Sequence, residues 1–159
     1  MISVSGVSKT YGKIKALNNI SFNVNSGEIL GYLGPNGSGK TTTINIILGL
    51  ILPDSGSVKI LGNDVNYQYG NLKNHIGVVF EEHGLYPHLT AEENIEFFAR
   101  IVGLAPSIRS QKVNETLALV ELEDRKKSLV KTYSKGMLRR LSIARSIIQN
   151  PKILILDEP

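Results

Sequence analysis

The order of hydrophobic and polar residues in the first eighty positions predicts short strands separated by turns. Apolar and polar side chains alternate across residues 2–4 and 20–24, which is the pattern of strands with one buried face. Residues 57–61 and 76–80 predict two further strands. Residues 29–33 form an apolar run of strand length that leads directly into a glycine-rich loop. Most of the predicted strands therefore lie in the first half of the chain.

Helical spacing of apolar residues dominates after Gly84. Helices are predicted at 41–50, from Thr90 to about Val102, around 113–120, and from Ser134 to Asn150. The second of these begins with a capping box, Thr90 followed three residues later by Glu93, and the last has Ser134 as its candidate N-cap. Residues 153–156 then form a continuous apolar run, the pattern of a buried parallel strand.

This order of elements predicts an α/β fold with an inserted α-helical subdomain. We assign residues 1–83 and 151–159 to one core and residues 84–150 to the helical subdomain. A core strand normally has further elements after it, and here only Asp-Glu-Pro follows the run 153–156. We therefore expect the domain to be incomplete at the C-terminus.

Composition and charge exclude several classes of protein without selecting one. The 159 residues are 42% hydrophobic, which is enough for a buried core of one domain. The absence of cysteine excludes disulfides, thiolate metal sites and a catalytic thiol. The net charge of +4 is compatible with phosphate ligands, nucleic acid or an anionic membrane surface. No segment has the roughly 18–20 apolar residues that cross a bilayer, so we expect a soluble, cytosolic chain.

The clearest chemical signal is the loop Gly-Pro-Asn-Gly-Ser-Gly-Lys-Thr at residues 34–41, which fits G-x-x-x-x-G-K-[ST] throughout. Its glycines allow backbone amides to face phosphate oxygens, and the following helix adds the positive end of its dipole. The pattern assigns Lys40 to the β- and γ-phosphates of ATP and the Thr41 hydroxyl to Mg²⁺. The alternative, a glycine-rich turn without a ligand, is disfavoured by the expected strand before the loop and helix after it. The candidate nucleotide-binding residues here are Gly34, Pro35, Asn36, Gly37, Ser38, Gly39, Lys40, Thr41 and Thr42.

Two carboxylates follow the last apolar run. Asp157 stands at the C-terminal end of a predicted parallel strand, and this end of a sheet faces the crevice where ligands bind in α/β folds. Asp157 is therefore a candidate Mg²⁺ ligand, together with Thr41. Glu158 is next to it and is the candidate proton acceptor for an attacking water. Without the phosphate loop, a strand that simply meets a polar loop would explain these residues equally well.

A third motif lies at the start of the last predicted helix, where residues 133–137 are Tyr-Ser-Lys-Gly-Met. Taken with the two motifs above, it resembles the signature motif of ATP-binding-cassette (ABC) ATPases, usually Leu-Ser-Gly-Gly-Gln; only Ser134 and Gly136 match that form. The variant seen here is similar to the one in members that export drugs, antibiotics or sodium. The resemblance covers essentially the whole chain and implies a P-loop NTPase (RecA-like) core with an N-terminal antiparallel β portion. It also implies that Ser134, Lys135 and Gly136 face the ATP held by a second subunit.

The same resemblance assigns roles to two residues outside the motifs. Tyr11 lies where the family has an aromatic side chain that stacks on adenine. Glu81 follows the predicted strand 76–80, where most members have a glutamine that contacts Mg²⁺ and the attacking water. An ionised carboxylate there can bind the metal but cannot donate a hydrogen bond. The candidate catalytic residues are therefore Glu158, Lys40 and Glu81, and the candidate metal ligands are Thr41, Glu81 and Asp157.

The three histidines show no spacing typical of ligands and are interpreted as surface residues. The family's switch histidine and the loop after the catalytic glutamate have no counterpart in these 159 residues, and neither His75 nor His83 matches the histidine by position. We therefore expect this chain to bind nucleotide, with efficient hydrolysis only where those segments are present.

The implied function is that of the ATP-binding and ATP-hydrolysing subunit of an ABC transporter, which powers export through a separate membrane permease. The implied partners are ATP, a second ATPase subunit in a homodimer or heterodimer, and the integral-membrane permease at the cytoplasmic face of the membrane; no nucleic acid partner is expected. Two alternatives stay open: a soluble ABC ATPase acting on DNA or ribosomes, and a catalytically incomplete fragment. A kinase or switch GTPase is disfavoured because the guanine-binding pattern Asn-Lys-x-Asp is absent.

Overall fold

The computed structural model describes residues 1–80 and 83–157, and for residues 67–69, 71 and 73 it describes the backbone alone. The chain forms two compact units, Met1–Lys73 and Asn74–Pro159. The division expected from the sequence, with a helical subdomain at 84–150, stays a prediction. Among the described residues, no helix combines the length and the apolar character needed to cross a bilayer.

The first unit is built on a four-stranded antiparallel sheet. Its strands, in the spatial order β2-β1-β3-β4, are β1 (Ile2–Tyr11), β2 (Ile14–Val24), β3 (Ser55–Ile60) and β4 (Asn63–Asp64). The central strand β1 places Val4 opposite Phe22 on one side and opposite Val58 on the other. The antiparallel N-terminal portion implied by the sequence is thus confirmed, and the predicted strand 57–61 corresponds to β3.

Two helices complete the first unit, α1 (Lys40–Ile47) and α2 (Val65–Leu72). The first ends at Ile47 rather than at residue 50, because Gly49 adopts a φ of +64° and its amide donates to the carbonyl of Ile46 (3.0 Å) in a tighter turn. The hydrophobic pattern does not predict α2, which is short and has a glycine in its interior. The buried apolar residues of this unit are Ile2, Val4, Val7, Leu17, Ile46, Ile47, Leu48, Val58, Ile60, Val65 and Leu72.

The strand predicted at residues 29–33 is wrong. This segment has irregular backbone, and none of the described strands pairs with it. Ile29 is 100% exposed and Leu33 is 93% exposed. A strand exists only through hydrogen bonds to a neighbouring strand, so an apolar run without such a neighbour does not form one. The phosphate loop therefore follows an irregular, exposed segment.

The second unit combines three helices with a pair of parallel strands. The helices are α3 (Ala91–Ile101), α4 (Pro106–Leu119) and α5 (Lys135–Ile147), and the strands are β5 (Ile76–Val79) and β6 (Ile153–Leu156). These five elements agree with the predicted ones apart from their end positions. The predicted capping box at the start of α3 is confirmed, since Thr90 Oγ1 accepts from the Glu93 amide (3.2 Å) and the Glu93 carboxylate accepts from the Thr90 amide (2.7 Å).

The apolar faces of α3, α4 and α5 meet in one buried cluster. Ile95, Leu117 and Leu141, one from each helix, are fully buried. Burying a side chain of this size stabilises a fold by about 1.5–3 kcal/mol, so the cluster holds the three helices firmly together. Its other buried members are Ala91, Ala99, Val113, Val120, Leu122, Val130, Tyr133, Ala144 and Ile148.

Strands β5 and β6 run parallel, with Ile76 opposite Ile153 and Val79 opposite Leu156. The sequence predicted β6 as a buried strand, and this is only half correct. Ile153 is buried, whereas Leu154 and Leu156 are 44% and 39% exposed. Successive side chains of a strand point to opposite faces, so only one face of β6 is covered within this unit.

Candidate functional site

The phosphate loop, residues 34–41, has a backbone conformation that depends on glycine. Gly37 and Gly39 adopt φ angles of +80° and +90°, in the left-handed region that residues with a Cβ rarely occupy. Between them, the Ser38 amide donates to the carbonyl of Pro35 (3.2 Å) and closes a tight turn. Gly39 is the N-cap of α1, and the helix begins at Lys40. The loop therefore delivers the amides of the first helical turn at its end, where an anion is favoured.

Close packing against strand β2 restricts the loop further. A Cβ on Gly39 would lie 2.6 Å from the carbonyl oxygen of Ala16 and 2.6 Å from the Leu17 side chain. A Cβ on Gly34 would lie 2.6 Å from the hydroxyl of Ser38, while one on Gly37 would meet nothing within 4 Å. Glycine is thus required for space at Gly39, where backbone stands in the way, and for backbone conformation at Gly37, whereas a Cβ at Gly34 would displace the Ser38 hydroxyl.

The Lys40 side chain folds back over the loop. Its ammonium group donates to the carbonyls of Gly34 (2.9 Å) and Pro35 (3.1 Å). Among the described residues, no carboxylate forms an ion pair with this ammonium. An ammonium group whose two acceptors in the loop are neutral carbonyls can exchange them for the charged oxygens of a phosphate. The residues present therefore fit a nucleotide polyphosphate.

The threonines at the start of α1 have different environments. Thr41 is exposed and Thr42 is half-buried. Thr43, which the motif does not single out, is buried; its hydroxyl donates to the carbonyl of Gly39 (2.9 Å) and contacts the hydroxyl of Tyr32 (3.2 Å). The Thr41 hydroxyl is thus accessible to a metal ion, and Thr43 secures the junction between the loop and the helix.

Tyr11, the candidate adenine-stacking residue, lies at the end of β1 and is 44% exposed. The ammonium of Lys9 lies 5.7 Å from the centre of this ring and 2.9 Å from the Asp54 carboxylate. Asp54 also accepts from the Thr10 amide (2.7 Å). The hydrogen bond from Lys9, with the one from the Thr10 amide, holds the pKa of Asp54 below its usual value. Asp54 was missed in the sequence, and it fixes the end of β1 that carries the ring.

The signature segment occupies the exposed start of α5 in the second unit. Ser134 is the N-cap, as predicted, and its hydroxyl accepts from the Met137 amide (3.3 Å). Ser134, Lys135 and Gly136 are all exposed. The preceding Tyr133 is buried, its hydroxyl donates to the carbonyl of Arg125 (2.8 Å), and burial raises its pKa. The segment is therefore anchored on one side and accessible on the other.

Asp157, the candidate metal ligand of the second unit, is buried and continues the ladder beyond β6, its amide donating to the carbonyl of Val79 (2.8 Å). Glu81 and Glu158, the other candidate carboxylates, lie outside the described residues. In the described part of the chain, no group of three or more ligating side chains could hold a metal ion by itself. Mg²⁺ commonly binds through one or two protein ligands, with waters and substrate phosphates completing its shell, so a site needs no such group of side chains.

A forked contact that sequence analysis missed lies beside Asp157. Arg139 of α5 donates from Nη1 to the carbonyl of Phe80 (3.0 Å) and from Nη2 to the carbonyl of Asp157 (3.1 Å). These acceptors are 59 and 18 residues away from Arg139 in sequence. No local signal could have found this contact, because it depends on the packing of α5 against the strand ends.

An aromatic cluster, Tyr86, Phe97 and Phe98, lies at the start of the helical region. The ring centres of Tyr86 and Phe97 are 4.9 Å apart, and the guanidinium of Arg145 lies 5.1 Å from the ring centre of Phe98. Asn94, fully buried, accepts from the Tyr86 amide (2.8 Å) and donates to the Tyr86 carbonyl (3.0 Å). Tyr86 is 45% exposed, so the cluster is rigidly held and still accessible.

The histidines agree only in part with the expectation that all three are surface residues. His88 is exposed, whereas His75 and His83 are half-buried. Nδ1 of His83 is buried, and it has no hydrogen-bond partner among the described residues. Both half-buried histidines are near β5 in sequence, His75 directly before it and His83 four residues after it.

A glycine loop closed by a lysine and continued by a helix defines a P-loop nucleotide-binding protein. More specifically, residues 17–159 match the ABC transporter family, and the chain belongs to that family. The chain is 40% identical over its whole length to the linearmycin resistance ATP-binding protein LnrL of Bacillus subtilis (strain 168), and also 40% identical to the bacitracin transport ATP-binding protein BcrA of Bacillus licheniformis. It covers 51% of each, so it spans about half the length of these relatives.

A solved structure supports the same fold. The ATP-binding cassette MJ0796, solved as a dimer bound to ADP and Pi, is similar over the whole of this chain and 88% of its own, with a TM-score of 0.84 and 27% identity. The P-loop NTPase fold with an inserted helical region, expected from the sequence, is thereby confirmed.

Proposed function

We propose that this chain is the nucleotide-binding part of an ABC transporter ATPase, which binds and hydrolyses ATP to power export through a separate membrane permease. The observation that carries the proposal is the phosphate loop, in which Gly37 and Gly39 adopt left-handed conformations and Lys40 is directed onto the loop carbonyls. Membership of a family whose members bind ATP supports it.

In the proposed complex, the triphosphate lies in the loop at residues 34–41 and receives its backbone amides. The Lys40 ammonium exchanges its two neutral carbonyl acceptors for the β- and γ-phosphate oxygens, since a charged acceptor gives the stronger hydrogen bond. Tyr11 stacks on the adenine with the face of its ring that Lys9 does not approach. The loop therefore binds the charged phosphates, and Tyr11 at the end of β1 binds the adenine ring.

Hydrolysis requires a water to attack the γ-phosphorus, which breaks the bond to the bridging oxygen and releases ADP and phosphate. Glu158 takes the proton that the water loses, and Glu81 orients that water. Mg²⁺, held by Thr41, Asp157 and Glu81, would neutralise charge on the phosphates. The roles of Glu81 and Glu158 rest on their motif positions, and that of Asp157 also on its fixed place at the end of β6.

The signature segment supplies the second half of the site in a dimer. Ser134, Lys135 and Gly136 are exposed at a helix N-terminus, where backbone amides and the helix dipole favour a phosphate. We infer that they face the γ-phosphate bound to a partner subunit, in a homodimer or a heterodimer. The dimeric state of the similar cassette MJ0796 supports this arrangement.

The permease is proposed to dock on residues 82–98, at the cytoplasmic face of the membrane. Within this range Tyr86, Leu89, Phe97 and Phe98 offer apolar and aromatic surface on a rigid support. Tyr86 and Phe97 are 45% and 38% exposed, which leaves them available as anchors. Export is the direction that the Tyr-Ser-Lys-Gly-Met signature and the resistance function in the name of LnrL favour.

The direct test of nucleotide binding is Lys40→Ala in the full-length gene product. Removing the charged donor to two phosphates should weaken Mg-ATP binding about 10- to 100-fold, the effect of losing charge-assisted hydrogen bonds. Isothermal titration calorimetry measures this, with Lys59→Ala, an exposed lysine of β3, as the matched control. Equal affinity of the wild type and Lys40→Ala would contradict the proposal.

The test of the dimer mechanism uses Glu158→Gln, which removes the proton acceptor and leaves binding groups in place. With saturating ATP this variant should accumulate as an ATP-bound dimer, detected by size-exclusion chromatography. Adding Ser134→Arg places bulk where the γ-phosphate belongs and should return the protein to monomer. A Glu158→Gln protein that stays monomeric and hydrolyses ATP at the wild-type rate would remove both Glu158 as the base and the shared site.

A further inference from the structure

The Arg139 fork joins the signature helix to the ends of both parallel strands. One guanidinium group donates to the Phe80 carbonyl (3.0 Å), directly after β5, and to the Asp157 carbonyl (3.1 Å), directly after β6. Both acceptors lie past the last ladder pair of the two strands, where a parallel sheet leaves carbonyls without partners. One planar, charged guanidinium group can donate a hydrogen bond to both of these carbonyls at once.

These two carbonyls matter because each belongs to the residue directly before a candidate catalytic carboxylate. The Phe80 carbonyl is part of the peptide that leads to Glu81, and the Asp157 carbonyl is part of the peptide that leads to Glu158. Asp157 itself is buried and fixed through its amide to Val79 (2.8 Å). Arg139 therefore bonds to the backbone of Asp157 itself and to the carbonyls that stand directly before Glu81 and Glu158 in the sequence.

The base of the Arg139 side chain is itself held rigidly. Leu141 and Ala144, on the same helix, are fully buried in the helical cluster. The neighbouring Arg140 points elsewhere and donates to the carbonyls of Val120 (3.3 Å) and Glu121 (3.2 Å). Arg140 uses only Nη1 and also pairs with the Glu121 carboxylate (3.3 Å), so of the two adjacent arginines only Arg139 forms a fork on the strand ends.

We propose that Arg139 is a positioning residue that fixes the Phe80 and Asp157 carbonyls and so sets the placement of Asp157, which ties the signature helix to the metal-binding end of the same subunit. The proposal rests on the proposed function. Arginine is needed rather than a cation alone, because one ammonium group cannot reproduce a fork with two donors in a fixed plane.

The proposal is tested by how strongly Mg²⁺ improves nucleotide binding in the full-length gene product. The non-hydrolysable analogue AMP-PNP is titrated calorimetrically in Mg²⁺ and in EDTA, for the wild type, Arg139→Lys and Arg139→Met. Groups that orient metal ligands are typically worth about 10- to 100-fold in metal affinity or activity. For both variants we expect the ratio of AMP-PNP affinity in Mg²⁺ to that in EDTA to fall about tenfold. Their affinity in EDTA should stay within about twofold of the wild type.

Steady-state ATP hydrolysis gives the second readout, with kcat expected to fall about tenfold and KM for ATP to stay within about twofold. Arg140→Lys and Arg140→Met are the matched controls and should retain the Mg²⁺ gain. A purely structural role would instead lower the melting temperature and affect binding in Mg²⁺ and EDTA equally, and that result would overturn the proposal. If Arg139→Met does not fold, Arg139→Lys decides, since it keeps the charge and most of the side-chain volume.

The failures of the two proposals are distinguishable. A wild type that binds AMP-PNP in neither condition would overturn the proposed function, and this inference with it. A wild type that binds and gains affinity from Mg²⁺, with Arg139 variants that gain equally, would overturn the inference alone.

Discussion

The phosphate loop and the start of α5, the two segments proposed to contact phosphate, take their geometry from different sources. The loop takes its form from consecutive residues, with left-handed Gly37 and Gly39 and a lysine that bonds to carbonyls five and six residues away. The start of α5 has an ordinary N-cap, and its position depends on contacts with residues far away in sequence, such as those of Arg139. A site made locally can be recognised in a sequence, and a site made by packing cannot.

The two regions also differ in how deeply their neighbouring residues are buried. The segment before the phosphate loop is irregular, and Ile29 and Leu33 are almost fully exposed. The start of α5 follows the buried Tyr133 and is continuous with a cluster of fully buried side chains such as Leu141. Substitutions in the loop should therefore act on ligand binding, and also on stability where they replace a glycine with positive φ or meet β2. Substitutions around α5 should act on stability or on the geometry of distant groups.

The largest effect is expected for Gly39→Ala. The new Cβ would lie 2.6 Å from the Ala16 carbonyl, in a backbone conformation with φ +90°, so both steric strain and torsional strain oppose it. Together these should lower the free energy of unfolding by about 3 kcal/mol or more and abolish nucleotide binding. Urea unfolding and calorimetric titration measure the two effects.

Gly37→Ala is the matched control, because its Cβ would meet nothing within 4 Å and only the φ of +80° opposes it. It should lower the free energy of unfolding by about 1–2 kcal/mol. Equal losses for the two variants would show that backbone conformation alone, and not contact with β2, requires glycine at position 39.

An intermediate effect on stability is expected for Asn94→Ala in the helical region. The fully buried amide bonds to the backbone of Tyr86 through both its donor and its acceptor, and donates to the Thr90 carbonyl (2.9 Å). Leaving these groups unpaired should lower the free energy of unfolding by about 2–3 kcal/mol and loosen the aromatic cluster. Asn114→Ala, an exposed helical asparagine, should change it much less; similar losses would contradict the role assigned to Asn94.

The smallest effect is expected for Asp54→Asn, whose carboxylate is exposed to solvent. Its pKa is lowered in the folded chain by Lys9, so its contribution to stability is present above the unfolded pKa of about 3.9 and is lost as the pH falls through the lower, folded value. The variant should therefore unfold at slightly lower urea than the wild type at pH 7 and at the same concentration in strong acid. A double-mutant cycle with Lys9→Met isolates the interaction between Lys9 and Asp54. If Asp54→Asn still unfolds at lower urea than the wild type in strong acid, this interaction is not the cause of the difference.

Several elements could be predicted because their causes are local. The capping box of Thr90 and Glu93, the N-cap at Ser134 and the glycine-rich loop depend on residues within a few positions of one another. The strand at 29–33 was predicted wrongly for the complementary reason, since a strand needs a partner that the sequence does not specify. The exposed face of β6 was missed because apolar content does not tell which face of a strand is covered.

The sequence by itself determined the phosphate loop, its lysine and the order of the three motifs, because glycine conformations, capping and motif spacing are properties of neighbouring residues. The tertiary structure alone decided that Asp54 supports the end of β1 and that Arg139 joins α5 to the ends of β5 and β6. Both contacts link residues separated by many positions along the chain. Their geometry exists only when packed strands and helices hold a donor and an acceptor within about 3 Å of each other.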